Sequence, residues 1–136
     1  MNQILDTYIP VVGRVLLGVV FFLSAFGKIT DFSGTASYMA SAGMTVGTPV
    51  LLAGAIVFLL AGSVSLFLGY KVRVGAVLLI AFLVPATLIF HNFWAIEGEA
   101  AQMQMIQFLK NLSILGGLLF VLGRGAGPIS LDSRKH

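Results

Sequence analysis

The chain has no cysteine, and this single absence removes several chemistries. A disulfide framework, a thiolate metal site, an iron–sulfur cluster and a CxxC redox pair all need cysteine sulfur. Any electron chemistry must therefore come from a bound cofactor or a partner. Charge is also scarce: 10% of the 136 residues are Asp, Glu, Lys or Arg, against about a quarter in a soluble domain. Histidine occurs only as His91 and His136. A b-type haem between helices normally takes two axial ligands, and these two histidines are expected on opposite sides of the fold, so no haem is expected. No metal is expected either, because nothing accompanies His91 at a useful ligand spacing. Walker, GxGxxG and serine-nucleophile patterns are missing, and the Gly125-Ala126-Gly127 run follows a helix rather than a strand and reads as a helix stop.

What fills the chain instead is apolar: 58% of residues are hydrophobic and the mean hydropathy is +1.02. Four runs, Tyr8–Gly27, Pro49–Gly69, Val72–His91 and Met103–Gly123, each approach the roughly 20 residues that cross about 30 Å of hydrocarbon as a helix. An open sheet would leave backbone groups unsatisfied in lipid, so helices are preferred. The predicted fold is an all-α integral membrane four-helix bundle in one domain. Its helices cover about 8–27, 49–69, 72–91 and 103–123, with an outer loop at 28–48 and a cytoplasmic tail at 124–136. The first run is read as a retained helix, because Asp6 and no Lys or Arg precede it, the wrong polarity for a secretory signal.

Within the outer loop, Phe32, Ala36 and Met39 recur at helical spacing, Asp31 is placed to N-cap and Gly43 to C-cap, which predicts a short interfacial helix. Gly69-Tyr70-Lys71 is too short to join anything but antiparallel neighbours. Ala61, Ser65 and Gly69 form a small-residue stripe suited to a contact inside the bundle or to a homodimer. Pro85 frees the Ala81 carbonyl and predicts a kink.

The net charge is +3, but the basic residues sit singly at the ends of apolar runs, so no nucleic-acid partner is expected. Lys71, Arg73, Arg124, Arg134 and Lys135 share one side of a four-span topology, which the positive-inside rule makes cytoplasmic together with both termini. Three basic residues remain against lipid. Arg14 reads as an anchor near the cytoplasmic side, paired with Asp6. Lys28 closes the first helix about 21 Å away by helical rise, and Lys110 lies roughly two turns into the last.

His91 and Asn92 end the third helix, and Phe93 and Trp94 follow as an interfacial aromatic pair. Gln104, Gln107 and Asn111 share a face of the last helix beside Lys110. If these faces turn inward together, Lys28, His91, Gln107, Lys110 and Asn111 converge in the outer third of the bundle. Phe93, Trp94 and Phe108 then provide an apolar wall, and Asp31 and Tyr38 join from the loop. Such a donor-rich set suits the carbonyl oxygens of a quinone head group or a small oxyanion. The structural alternatives are snorkelling for Lys28, pairing of Lys110 with Glu97, Glu99 or Asp31, and an interfacial hydrogen bond for His91.

Several segments together resemble the DoxX family of small bacterial and archaeal membrane proteins. They are Arg14 with Gly18, Gly27-Lys28, His91-Asn92-Phe93-Trp94, Phe108-Leu109-Lys110-Asn111-Leu112 running into Gly116-Gly117, and Gly125-Ala126-Gly127 before Ser130-Leu131-Asp132. The resemblance implies a multi-pass protein of the bacterial or archaeal cytoplasmic (inner) membrane, associated with quinol oxidase, thiosulfate:quinone or oxidative-stress complexes. The expectation is a quinone-interacting subunit with a redox partner subunit. Lys28, His91, Trp94, Gln107, Lys110 and Asn111 are its candidate quinone or quinol ligands, and no catalytic residue is assigned. A non-catalytic scaffold and a small-solute or anion transporter are the alternatives.

Overall fold

A computed structural model describes residues 2–135; Met1 and His136, the second histidine of the haem argument, lie outside the described residues. Its helices are α1 (Asn2–Thr30), α2 (Phe32–Ser41), α3 (Thr48–Leu68), α4 (Val72–Phe90) and α5 (Glu99–Arg124), with 3-10 turns at Phe93–Ala95 and Asp132–Lys135. No strand occurs among the described residues. Four helices, all but α2, are long and apolar enough to cross a membrane. Two of them start earlier than hydropathy predicts: α1 reaches back to Asn2, and α5 begins at Glu99. These added turns mix polar residues with apolar ones such as Ile4, Leu5 and Ala100, which dilutes the hydropathy signal.

The bundle is ordered by neighbours. α3 packs between α1 and α4, and α4 between α3 and α5, while α1 and α5 touch only lightly. Gly62 and Gly75 set the α3–α4 crossing: a Cβ on Gly62 would collide with Leu79, and one on Gly75 with Ser65. The small-residue stripe is therefore used inside the bundle through Ser65 and Gly69, whereas Ala61 faces outward. Phe21, Ala25, Leu59, Leu66, Leu79 and Leu118 belong to the main core, and Met39, Leu52 and Ile56 form a second cluster under α2. Of the residues of α5 only Leu118 is fully buried. Its exposed Met103, Ile106 and Phe120 form a surface suited to lipid. The short helix forms as predicted, with the Asp31 carboxylate accepting from the Gly34 N–H at 3.2 Å and Gly43 taking a positive φ of 97° just past its end.

The tail is not a free extension. It folds back beneath the α3–α4 turn, where Leu131 N–H donates to the Leu68 carbonyl and Asp132 N–H to that of Gly69, at 3.2 and 2.8 Å. The Asp132 carboxylate accepts from the Lys71 and Val72 amides at 2.7 and 3.0 Å. That capping position belongs to a residue about 60 positions away, because Lys71 offers the start of α4 no capping oxygen. Arg14 completes the clasp. Its guanidinium is buried and donates to the carbonyls of Leu66, Ala126 and Ile129 at 2.8, 2.5 and 2.7 Å. The expected pairing with Asp6 is replaced by these three carbonyls and by the nearby charge of Asp132. Gly127, at φ +84°, lies against Pro10, so the start of α1 and the tail share one end of the bundle.

Candidate functional site

At the opposite end, all five helices surround a cavity of about 280 Å³. Val20, Ser24 and Lys28 reach it from α1 at four-residue intervals, which keeps them on one helical face. α4 contributes Phe82, Ala86 and Phe90 at the same interval, followed by His91, while α2 adds Thr35 and Tyr38 and α5 adds Asn111. The walls are otherwise apolar, so the few polar groups determine what the cavity accepts.

Each polar group has a defined role. Lys28 Nζ donates to Ser24 Oγ at 2.9 Å and lies 5.5 Å from the centre of the Phe82 ring. An ammonium has three hydrogens, so further donors stay available to a ligand. The Phe82 contact is cation–π in kind and holds the charge inside the cavity rather than out along the interface. His91 Nδ1 pairs with Gln104 Oε1 at 2.7 Å. Facing a carbonyl oxygen, Nδ1 is the donor, which leaves Nε2 of the neutral ring as an acceptor. Asn111 Nδ2 donates to Thr87 Oγ1 at 3.0 Å, and Thr87 in turn donates to the Leu83 carbonyl at 2.7 Å. The Asn111 amide is thereby oriented with one hydrogen and its oxygen uncommitted. Tyr38 stacks on Phe90 at 5.3 Å between ring centres.

Of the predicted site residues, Lys28, His91 and Asn111 are brought together, with Tyr38 beside them. Lys110, Gln107 and Trp94 do not line the cavity. Lys110 is exposed on the outer surface of α5, with no hydrogen-bond or ion-pair partner among the described residues. Gln104, not Gln107, is the glutamine that reaches the site. Trp94 is 58% exposed and makes edge contacts with Phe93 and Phe108 at 5.3 and 5.8 Å. The aromatic wall consists instead of Phe21, Phe82 and Phe90. Ser24, Thr35 and Thr87 were missed by sequence reasoning. The four-residue spacing from Ser24 to Lys28 was a usable signal, whereas Thr87 had none within an apolar run.

Comparison with known proteins gives a consistent picture. The family model described as DoxX matches residues 9–92, a span that includes Arg14, Lys28, Tyr38, Phe82 and His91. The chain is 36% identical to inner membrane protein YphA of Escherichia coli (strain K12) over 90% of its own length and 87% of that protein's. It is 30% identical to inner membrane protein YqjF of the same organism over 89% and 87%. A shorter match, 31% identical over 59% of this chain and 26% of the other, is to ER-derived vesicles protein ERV29 of Saccharomyces cerevisiae. No solved structure matches.

Proposed function

The chain belongs to the DoxX family of integral membrane proteins, and from that premise we propose that its five-helix cavity holds the head group of a membrane quinone or quinol. In this reading the protein is a quinone-binding subunit of a redox or oxidative-stress complex in the cytoplasmic membrane. The observation that carries the proposal is the meeting of Lys28, His91 and Asn111 in one apolar-walled cavity.

The residues fit such a group in number and in kind. A head group with two carbonyl oxygens needs donors, and the Lys28 ammonium, the Asn111 amide and the Tyr38 hydroxyl supply them. About 280 Å³ falls just below the range of drug-sized ligand pockets, roughly 300–1,000 Å³. That volume suits a single ring and is too small for a macrocycle. A bound quinone supplies two-electron carrier chemistry, and a partner subunit supplies the other redox centre. Within this chain, Lys28 would hold a carbonyl oxygen of such a head group, and its positive charge in a setting of low dielectric would favour the reduced form. His91, oriented by Gln104, accepts or returns a proton at Nε2. Phe82 and Phe90 exclude water.

The test is direct. Protein purified in mild detergent is expected to release a quinone on solvent extraction, and a tailless quinone is expected to compete for the site with the wild type but not with Lys28→Met. A preparation with no quinone and no competition would overturn the reading.

A second reading, a scaffold for a partner enzyme, is favoured by Lys110. An exposed ammonium partway along a membrane-spanning helix is costly, by about 2.5–3.5 kcal/mol at mid-bilayer on insertion scales, and a neighbouring subunit's carboxylate would relieve that cost. Under this reading Lys110→Ala releases a co-purifying subunit while leaving any bound quinone in place.

A further inference from the structure

Two surface pockets of opposite character border the cavity. One opens at the loop end and is lined by Ser24, Lys28, Asp31, Thr35 and Tyr38. The other is a groove of about 360 Å³ on the outer surface between α3 and α4. Met39, Ala55, Phe82, Ala86 and Phe90 line both the cavity and this groove, so a single layer of side chains separates them. Groove and cavity meet at Phe82, whose ring also stands 5.5 Å from the Lys28 ammonium.

The groove's shape follows from the sequence. Its floor is made by small residues, Gly54, Ala55, Ala81 and Ala86, and Pro85 brings no N–H to this stretch of α4. Its rims are Val50, Leu51, Phe58 and Ile89, all apolar and exposed. Toward the tail end, the close Gly62–Gly75 crossing brings α3 and α4 together and ends the furrow. From Ala81 to Phe90 the groove runs about 13 Å along α4 at 1.5 Å per residue.

Resting on the quinone reading above, we propose that the ligand is a membrane-dissolved amphiphile. Its polar ring occupies the cavity and its hydrocarbon tail lies in the α3–α4 groove, so it reaches the site sideways from the bilayer. The occupant is specified by continuity. A water-soluble solute would use only the polar pocket and leave the groove without a role; a head group already seated against Phe82 has the groove as its adjoining apolar outlet. The polar pocket then serves the head group alone, connecting Lys28 and Tyr38 to the aqueous phase for proton exchange.

The experiment uses full-length protein in phosphatidylcholine vesicles and a quinone whose tail ends in a photoreactive diazirine. Crosslinks are expected on the 50–58 and 81–89 segments and are expected to disappear with excess unlabelled tailed quinone. Gly54→Leu and Ala81→Phe each add bulk to the groove, and a Cβ on Gly54 meets nothing within 4 Å, so the fold has room for it. Each variant is expected to lower crosslinking at least about tenfold while a tailless quinone still quenches Trp94 fluorescence as in the wild type. Crosslinks spread over the outward faces of α1 and α5, or unchanged in Gly54→Leu while the tailless compound binds, overturn the tail placement and leave the head-group reading standing. Failure of the tailless and tailed compounds alike to bind the wild type removes both.

Discussion

Replacing Arg14 by Met keeps an unbranched stem about as far as Nε and deletes the guanidinium, which removes the donors of the clasp. The side chain makes three hydrogen bonds, two of them to the tail at Ala126 and Ile129. Hydrogen bonds involving a charged group contribute about 1.5–3 kcal/mol each, so the two tail bonds stabilise the docked state by at least roughly 3 kcal/mol, or about a hundredfold in the opening equilibrium. The amides that report this opening are those of Leu131 and Asp132, whose partners are the Leu68 and Gly69 carbonyls. Hydrogen exchange at these amides, followed by mass spectrometry in detergent, is expected to accelerate about a hundredfold in Arg14→Met. Arg14→Lys keeps the charge but presents one ammonium instead of a three-pronged fork, and is expected to fall between the two. Exchange in Arg14→Met equal to that of the wild type, or Arg14→Lys indistinguishable from Arg14→Met, would refute the view that guanidinium geometry holds the tail.

Other consequences are open to measurement. Gly75→Val places a side chain against Ser65 where even a Cβ collides; overpacking of this kind costs about 1–3 kcal/mol, to be seen as a lower midpoint in mixed-micelle unfolding, whereas Gly54→Ala is expected to be near neutral. Lys28→Gln removes a charge-assisted donor and should weaken binding of a tailless quinone by roughly tenfold to a hundredfold in competition titrations; unchanged affinity would remove Lys28 from the site. Since the chain has no cysteine, single reporters give topology cleanly. Val46→Cys, at a position 86% exposed in the loop between α2 and α3, should react with an impermeant maleimide from outside the cell, and Asn2→Cys only after permeabilisation. The reverse pattern contradicts the orientation inferred from the Lys and Arg distribution.

Hydropathy located the spans because crossing lipid demands a composition that leaves little ambiguity, and Asp31 marked the interfacial helix through its capping chemistry. The first turns of α1 and α5, where polar and apolar residues mix, carried the same signal too weakly to be read. Within α5 the misplacement of Lys110 has a simple geometric origin. Neighbours on a helix are about 100° apart at 3.6 residues per turn, so once Asn111 faces the cavity Lys110 must turn well away from it. Gln104 lies two turns before Asn111 and about 20° from it by the same arithmetic, which puts it, and not Gln107, closest to the inward direction. The clasp was hidden for another reason: Arg14 meets residues 52, 112 and 115 positions away, and no local pattern encodes such a pairing. Lys28 and His91 were legible because each ends a helix at the same level of the bundle, where the loop-end cavity forms.

The clasp also sets an order of events during synthesis. Arg14 lies in α1, but two of its three acceptors follow α5. At roughly 5–20 residues per second, the interval between making Arg14 and making Ile129 is on the order of ten seconds. Through that interval the arginine has only the Leu66 carbonyl, once α3 has arrived, and otherwise water, lipid head groups or the insertion machinery. A ribosome that stopped just after α5 would leave four membrane-crossing helices around an arginine with two of its carbonyl partners unmade, so a segment translated after α5 completes the polar contacts of α1.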